Sequence, residues 1–463
     1  MPKRLFSKIK SLISDSPRVT APSPRIIGPE EHQFRPEAIN RNAIKVVETL
    51  TRDGHEAYIV GGCVRDGLLG KIPKDFDVAT SAHPEEIKAL FRNCRLVGRR
   101  FRLAHVRFGR EIIEVATFRG SHSNAGSDDK HESAQSDEGL LLRDNVFGTL
   151  DEDAIRRDFT ANALYYDHDR HSIIDYVDGY RDIETRTLRL IGDPEQRYKE
   201  DPVRMLRAIR FAAKLEFTMT RETEQPIFEH ADLLNLIPAA RLFDEIQKLF
   251  LSGAAAGVWQ LLKHYGVAGC LFPNSTPEEN PLPAHQAMID QVMINTDRRI
   301  ADDKPVTPAF LFAVMLWGPL NRRWEEIKAE GMPPVPAFQK AMQLTISEQT
   351  QFTSIPKRFV IPLREIWELQ LKLPQRGAKR INRTFEHPRF RAAYDLLLLR
   401  EDAGEIEPGL GQWWTDFQEA DEDQRQTMIN AQGGESRNRN TRRRRRRRSG
   451  RKGYNNRPDN NGT

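Results

Sequence analysis

The stretch from Gly61 to Asp77 constrains the fold more than any other. Tyr58-Ile59-Val60 reads as a strand, Gly61-Gly62 breaks it, and a helix start carrying Arg65 follows. A second strand then holds Asp75-Phe76-Asp77-Val78-Ala79. Strand side chains alternate, so Asp75 and Asp77 share one face while Phe76 enters the core. Two carboxylates on one face repel unless a cation lies between them, and hard oxygen ligands of this kind suit Mg²⁺. The Gly61-Gly62 turn exposes backbone N–H groups at a helix N-terminus, where phosphate is favoured. A carboxylate pair beside a phosphate cradle points to metal-assisted transfer from a nucleoside triphosphate. An Asp-x-Asp alone is most often a solvated strand end. Placed shortly after Gly-Gly-x-Val-Arg-Asp, it becomes a specific signal.

Two further clusters extend the site. Glu114 interrupts the apolar strand Ile112-Ile113-Glu114-Val115-Ala116. An unpaired buried acid is costly, so Glu114 is either a metal ligand or general base, or a salt-bridge partner, for instance of Arg119. In Arg156-Arg157-Asp158-Phe159-Thr160-Ala161-Asn162-Ala163, two arginines before an aspartate can clamp phosphate or ribose. The bland reading is a surface ion cluster. Farther on, Glu200-Asp201-Pro202-Val203-Arg204 opens a helix with Asp201 near its N-cap. Arg204, Arg207 and Arg210 recur every third residue as a cationic ridge, which is either solvated or part of a nucleotide site. A carboxylate can accept from an exocyclic amino group while an arginine donates to the adjacent ring nitrogen. Asp201 and Arg204 therefore suit ATP or CTP over GTP and UTP, and the pair alone does not choose between those two.

At 463 residues the chain is expected to hold several domains. Residues 1–33, with Pro17, Pro22, Pro24 and Pro29, are expected to form a flexible lead-in. Residues 3–13 can form a short basic amphipathic helix suited to weak peripheral membrane contact, although a solvated tail is the favoured reading. No integral membrane segment and no secretory signal is expected. Three cysteines, Cys63, Cys94 and Cys270, without metal-ligand spacing fit free thiols in a reducing cytoplasm. Residues 34–190 mix short strands and helices, as in an α/β domain with a mixed sheet. The stretch 121–139, polar and nearly without apolar side chains, reads as a mobile surface loop. From Glu200 to about Ile429 the helical period dominates and no strand pattern is apparent. The segments divide as a neck at 191–265, a body at 266–430 and a tail at 431–463. Net charge is +5, yet residues 437–463 carry twelve Lys or Arg against a single acid, Asp459, leaving the remainder at −6. The tail, with seven consecutive arginines at Arg442–Arg448, is expected to be disordered and to attract polyanions.

In this order, the motifs around Asp75/Asp77, Arg157 and Asp201/Arg204 resemble the nucleotidyltransferase branch that contains bacterial poly(A) polymerases and CCA-adding tRNA nucleotidyltransferases. Leu96–Val106, Ile112–Gly120, Pro202–Leu215, Pro308–Ala313, Glu386–Asp395 and the Arg-rich terminus look like the poly(A) polymerase side. The resemblance implies an α+β architecture. A mixed-sheet catalytic domain would precede an all-helical neck and body and a disordered basic tail. It also implies Mg²⁺, with Mn²⁺ as the alternative, on Asp75 and Asp77, and a further active-site carboxylate at Glu114 or Asp158. Gly61, Gly62 and Arg65 would meet the triphosphate, and Arg157, Asp201, Arg204, Arg207 and Arg210 would line the nucleotide site. Asp175–Gly179 occupies the place of the family's flexible-loop motif, without a Gly-Gly pair after it. The implied reaction is template-independent transfer of AMP from ATP to RNA 3′ ends, promoting RNA decay. A CCA-adding enzyme and a non-catalytic RNA-binding relative are the alternatives. Lys357, Arg358, Arg376, Lys379, Arg380 and Arg383, close together in a helical region, are candidate RNA contacts, each also readable as a solvated helix face. The tail would bind RNA or dock RNA-decay proteins.

Overall fold

The computed structural model describes residues 23–98, 102–120, 133–135, 141–144, 146–277 and 282–432. The expectations for residues 3–13, for 99–101 within the Leu96–Val106 stretch and for the basic tail lie outside the described residues. The chain divides into two compact units, Met1–Leu234 and Asn235–Thr463.

The first unit is built on a mixed sheet. Its strands are β1 (Arg25–Ile27), β2 (Ala57–Val60), β3 (Asp77–Thr80), β4 (Cys94–Val97), β5 (Leu103–Phe108) and β6 (Glu111–Thr117). A separate hairpin, β7 (Ser133–Gln135) and β8 (Leu141–Asp144), is followed by β9 (Leu164–Asp167) and β10 (Ser172–Asp175). The eight-stranded order is β1-β10-β9-β2-β3-β6-β5-β4. Only β3 and β6 pair in parallel within it. Strand β7 corrects the reading of 121–139 as loop throughout. It pairs with β8 through backbone groups, which need no apolar side chains to signal them. Strand β1, only three residues long and paired with β10, likewise corrects the reading of 1–33 as a flexible lead-in.

Eight helices accompany the strands: α1 (Arg41–Arg52), α2 (Gly62–Leu68), α3 (Pro84–Leu90), α4 (Leu150–Arg156), α5 (Gly179–Glu184), α6 (Pro194–Glu200), α7 (Val203–Leu215) and α8 (Arg221–His230). Helix α1 starts where Asn40 accepts from the Asn42 N–H, and it buries Ala43, Val46, Val47 and Leu50. That stripe packs onto β2, β3 and β6. Each fully buried Val or Leu is worth about 1.5–3 kcal/mol, so this face fixes the strand pair that carries the site. Asn40 and Asn42 also donate to the Glu111 carboxylate at the start of β6. A second cluster joins Val60, Ala79, Phe118, Tyr165 and Ile174 to Leu150 and Ala154 of α4. A further correction concerns the stretch after Glu200: β12 (Thr218–Met219) pairs in parallel with β11 (Thr187–Leu188). Two residues are too short for any alternation to be legible.

The second unit is helical throughout its described residues. Its helices are α9 (Ala239–Phe250), α10 (Ala255–His264), α11 (Val267–Leu271), α12 (Pro283–Ala301), α13 (Pro308–Met315), α14 (Trp317–Ala329), α15 (Pro334–Phe352), α16 (Lys357–Lys372), α17 (Ala378–Phe385), α18 (Phe390–Asp402) and α19 (Leu410–Glu419). Helix α13 is its centre, with Leu311 to Met315 all buried. Buried Trp367 donates to the Ala313 carbonyl at 2.9 Å, and Trp414 to that of Leu373 at 3.2 Å. Among the described residues, Cys63, Cys94 and Cys270 form no disulfide. Among the described residues no helix is long and apolar enough to cross a membrane.

Candidate active site

The carboxylates sit where β3 begins. Asp77 is the first residue of β3, and Asp75 lies just ahead of the strand rather than within it. The expected alternation still holds, since Phe76 is buried while both aspartates are exposed. In the parallel ladder Asp77 is the register partner of Glu114 on β6. Paired residues on adjacent strands share a face, so the two carboxylates stand side by side. Glu114 is not the buried acid the apolar run suggested. Its side chain is 49% exposed, because the buried residues of β6 are Ile113, Val115 and Thr117 on the opposite face. The His105 Nε2 lies 3.4 Å from its carboxylate, and Arg119 pairs with Asp153 instead. Crowding by protein, then the charge of Glu114 and, more weakly, that of Asp75, push the Asp77 carboxyl up to about 6, against the lowering influence of Arg157.

The Gly61 turn meets these strands from behind. Gly61 has φ +82, a conformation that disfavours any side chain, and its N–H donates to the Leu164 carbonyl at 3.3 Å. A Cβ there would lie 3.7 Å from Nη1 of Arg157. Arg157, at the C-cap of α4, is anchored by Asp153 at 2.9 Å and by the Tyr165 hydroxyl at 2.9 Å. Asp153 also accepts from the Arg119 backbone N–H and side chain, both at 3.2 Å, and from the Tyr165 hydroxyl at 2.6 Å. Burial alone would raise the Asp153 carboxyl; the Arg157 and Arg119 guanidiniums and the Tyr165 hydroxyl hold it well below the usual range. Asp153 is therefore a positioning residue that sequence reading missed. Its i,i+4 spacing to Arg157 was the available signal, hidden among the acids of an ordinary helix first turn.

Asp158 does not stand with the strand carboxylates as an open ligand. Its Oδ1 accepts from the Phe159 N–H at 2.8 Å and from Asn162 at 3.2 Å, and its Oδ2 takes the Arg207 guanidinium, Nε at 2.7 Å. Burial would raise this carboxyl, but Arg207, Asn162 and the Phe159 N–H keep it low. The carboxylate ties the loop after α4 to helix α7. Arg65 is 4% exposed and bonded to Asp66 and Asn162, and its Nη2 stands beside the Gly-Gly turn, 3.5 Å from where a Cβ on Gly62 would lie.

Asp201 caps the end of α6 and stands next to Pro202, the N-cap of α7, where its carbonyl accepts from the Arg204 N–H at 2.9 Å. Arg204 reaches back to the Arg197 carbonyl at 2.7 Å and to Glu200 at 3.1 Å. Arg197, also missed from sequence, donates to the carbonyls of Arg156 at 2.9 Å and Arg157 at 2.7 Å. The arginine ridge is thus not simply solvated. Arg65, Arg207 and Arg210 converge on the Phe211 ring, at 5.1, 5.5 and 4.7 Å from its centroid. The ring attracts all three cations, two of which are also ion-paired, Arg65 with Asp66 and Arg207 with Asp158. Asp175–Gly179 forms a tight turn, in which the Asp175 carboxylate accepts from the N–H groups of Val177, Gly179 and Tyr180.

Of the helical-unit cations, Lys357 and Arg358 stand exposed at the start of α16, and Lys379, Arg380 and Arg383 stand exposed on α17. Arg376 lies 5.3 Å over the Trp413 ring.

The sheet, the Gly-Gly turn and the strand-end carboxylates define a nucleotidyltransferase. Residues 57–189 match the family described as Poly A polymerase head domain, 216–278 the probable RNA and SrmB-binding site of polymerase A, and 330–449 the polymerase A arginine-rich C-terminus. The chain belongs to the poly(A) polymerase family. It is 49% identical over 418 residues to Poly(A) polymerase I of Salmonella typhimurium, covering 89% of this chain and 90% of that one. A CCA-adding enzyme of Lactobacillus helveticus is 38% identical over 219 residues, 47% of this chain and 52% of that one. A solved CCA-adding enzyme shares the fold with a TM-score of 0.56 at 20% identity, over 81% of this chain and 82% of the other.

Proposed function

We propose that this chain adds AMP from ATP, without a template, to RNA 3′ ends in the cytoplasm. The observation that carries the reading is the extent and degree of likeness: 89% of the chain aligns with Poly(A) polymerase I at 49% identity, against 47–62% of it with CCA-adding enzymes at 34–38%. The RNA 3′-hydroxyl attacks the α-phosphorus of ATP; the new P–O bond forms as the bond to the β-phosphate oxygen breaks, and pyrophosphate leaves. Asp75, Asp77 and Glu114 offer hard oxygen donors whose charges oppose one another, which fits a divalent cation such as Mg²⁺. Among the described residues, however, no three His, Cys, Asp or Glu side chains already converge as a closed ligand set. When bound, such an ion would offset charge developing at the phosphoryl group and lower the hydroxyl pKa. In this reading Glu114 is the further carboxylate and Asp158 positions Arg207. Arg157, held by Asp153 beside the Gly61-Gly62 turn, meets the phosphates, and the guanidiniums around Phe211 hold the triphosphate tail. Asp201 and Arg204 read the base. The tails so made mark RNA for decay, and the basic C-terminus docks RNA-decay proteins.

The test supplies ATP or CTP, each alone and together, with unstructured RNA and with tRNA lacking its CCA end. Long A tails on unstructured RNA from ATP alone are expected. Addition limited to C-C-A on tRNA would make the chain a CCA-adding enzyme instead. No Mg²⁺-dependent pyrophosphate release with any substrate would leave a non-catalytic RNA-binding relative.

A further inference from the structure

We propose that a pocket in the helical unit holds one unstacked nucleotide of the RNA, upstream of the reacting 3′ end. The inference rests on the reading that RNA is the substrate. The pocket measures about 360 Å³ and is lined from α12, α13, α16 and α18, which pack on one another in sequence around it. That volume falls within the small-ligand range of about 300–1,000 Å³.

Its lining is charged in one sense. Arg299, Arg358, Arg389 and Arg391 border it, against one acid, Asp395. Three of the guanidiniums are braced. Arg299 donates to the Pro305 carbonyl at 3.2 and 3.0 Å, Arg389 Nε pairs with Glu365 at 3.3 Å, and Arg391 Nε with Asp395 at 3.1 Å. A guanidinium has five N–H donors, so this bracing fixes orientation and still leaves donors for phosphate oxygens. Arg358 is exposed at the mouth, 4.9 Å from the Phe359 ring.

Rings distinguish this pocket from a merely basic surface. Phe310 and Phe359 both line it and are both half-buried. Cations alone would suit an acidic peptide equally; half-buried rings beside guanidiniums suit a base with its phosphate. The wall also carries polar handles. Pro362 lacks an N–H, so the Arg358 carbonyl four residues earlier receives no helical hydrogen bond. Asn295 lines the pocket with its Oδ1 accepting from Gln291 at 3.0 Å, which leaves its N–H donors for a ring nitrogen of adenine. The pocket thus fits the strand the proposed reaction itself would make.

The experiment measures fluorescence anisotropy of labelled oligo(A) with the full chain, without ATP or metal, across a salt series. Ala392→Phe fills the pocket without changing charge. It should weaken binding about ten-fold and leave the salt slope unchanged. Arg358→Gln should weaken binding and reduce the slope by about 0.7, the contribution of one phosphate contact on a single strand. If Ala392→Phe does not fold, as judged by its melting curve, Asn295→Ala and Arg391→Gln carry the same test. Wild-type affinity in these variants would overturn the proposal. So would a changed salt slope with no effect of filling the pocket, or equal displacement of oligo(A) by an acidic peptide. AMP incorporation by the wild-type chain, measured separately, reports on the reaction itself, so the two readings fail independently.

Discussion

Asp77→Asn should reduce AMP incorporation about a thousand-fold while the protein melts at or slightly above the wild-type temperature. Cation-mediated charge stabilisation in phosphoryl chemistry is worth several kcal/mol, and each ~1.4 kcal/mol is a decade in rate. The stability half of the prediction has an independent cause. Asp77 stands at the strand start, and crowding by protein, then the charges of Glu114 and Asp75, raise its pKa against the pull of Arg157, so in the metal-free protein its ionised form is disfavoured. Replacing it with a neutral isostere removes that penalty and no apolar contact. Activity lost together with the fold would mean that Asp77 is structural. Activity retained would move the reaction elsewhere.

Asp153→Ala should have the opposite signature, a large loss of stability. The carboxylate is 3% exposed and meets Arg157, Arg119 and the Tyr165 hydroxyl. Removing one partner of a buried ion pair leaves the others uncompensated, typically at a cost of about 3–5 kcal/mol. For a unit of this size that is a fall of roughly 10 °C in melting temperature. AMP incorporation should fall as well, because Arg157 loses the group that holds it beside the Gly61 turn. The pH dependence follows from the direction of the shift. The folded-state pKa of Asp153 is depressed, so its contribution is complete above the unfolded carboxylate value of about 3.9 and is lost as pH falls below it toward the folded value. Urea midpoints of wild type and variant should therefore keep a constant gap from pH 6 to about 4 and draw together as pH falls below that. A gap that stays constant below about pH 4 as well would show that Asp153 contributes packing rather than charge.

The sequence made the local features of the site readable and left its long-range pairings hidden. The strand before Gly61, the alternation across Phe76 and the whole of α7 were legible because each is written in consecutive residues. So was the placing of the fold with its family, since three motifs recur in order. What escaped depends on partners distant in the chain. Nothing near Arg65 in the chain says that Asn162, far along it, accepts from its guanidinium. Asp158 and Glu114 could not be ranked from sequence, because nothing local says that Arg207 satisfies the one while β3 sets the other beside Asp77. Phe211 looked like any core residue of α7, and only the packed unit gathers three guanidiniums around it.

The register pairing of Asp77 with Glu114 is the centre of this account, and a Mg²⁺ titration of AMP incorporation tests it most directly. Wild type and Glu114→Gln are compared on unstructured RNA with saturating ATP. If the β3–β6 edge is the reaction centre, Glu114→Gln should need at least about ten-fold more Mg²⁺ for half-maximal rate, in line with a lost oxygen ligand, while melting as wild type. An unchanged Mg²⁺ requirement and rate would contradict it.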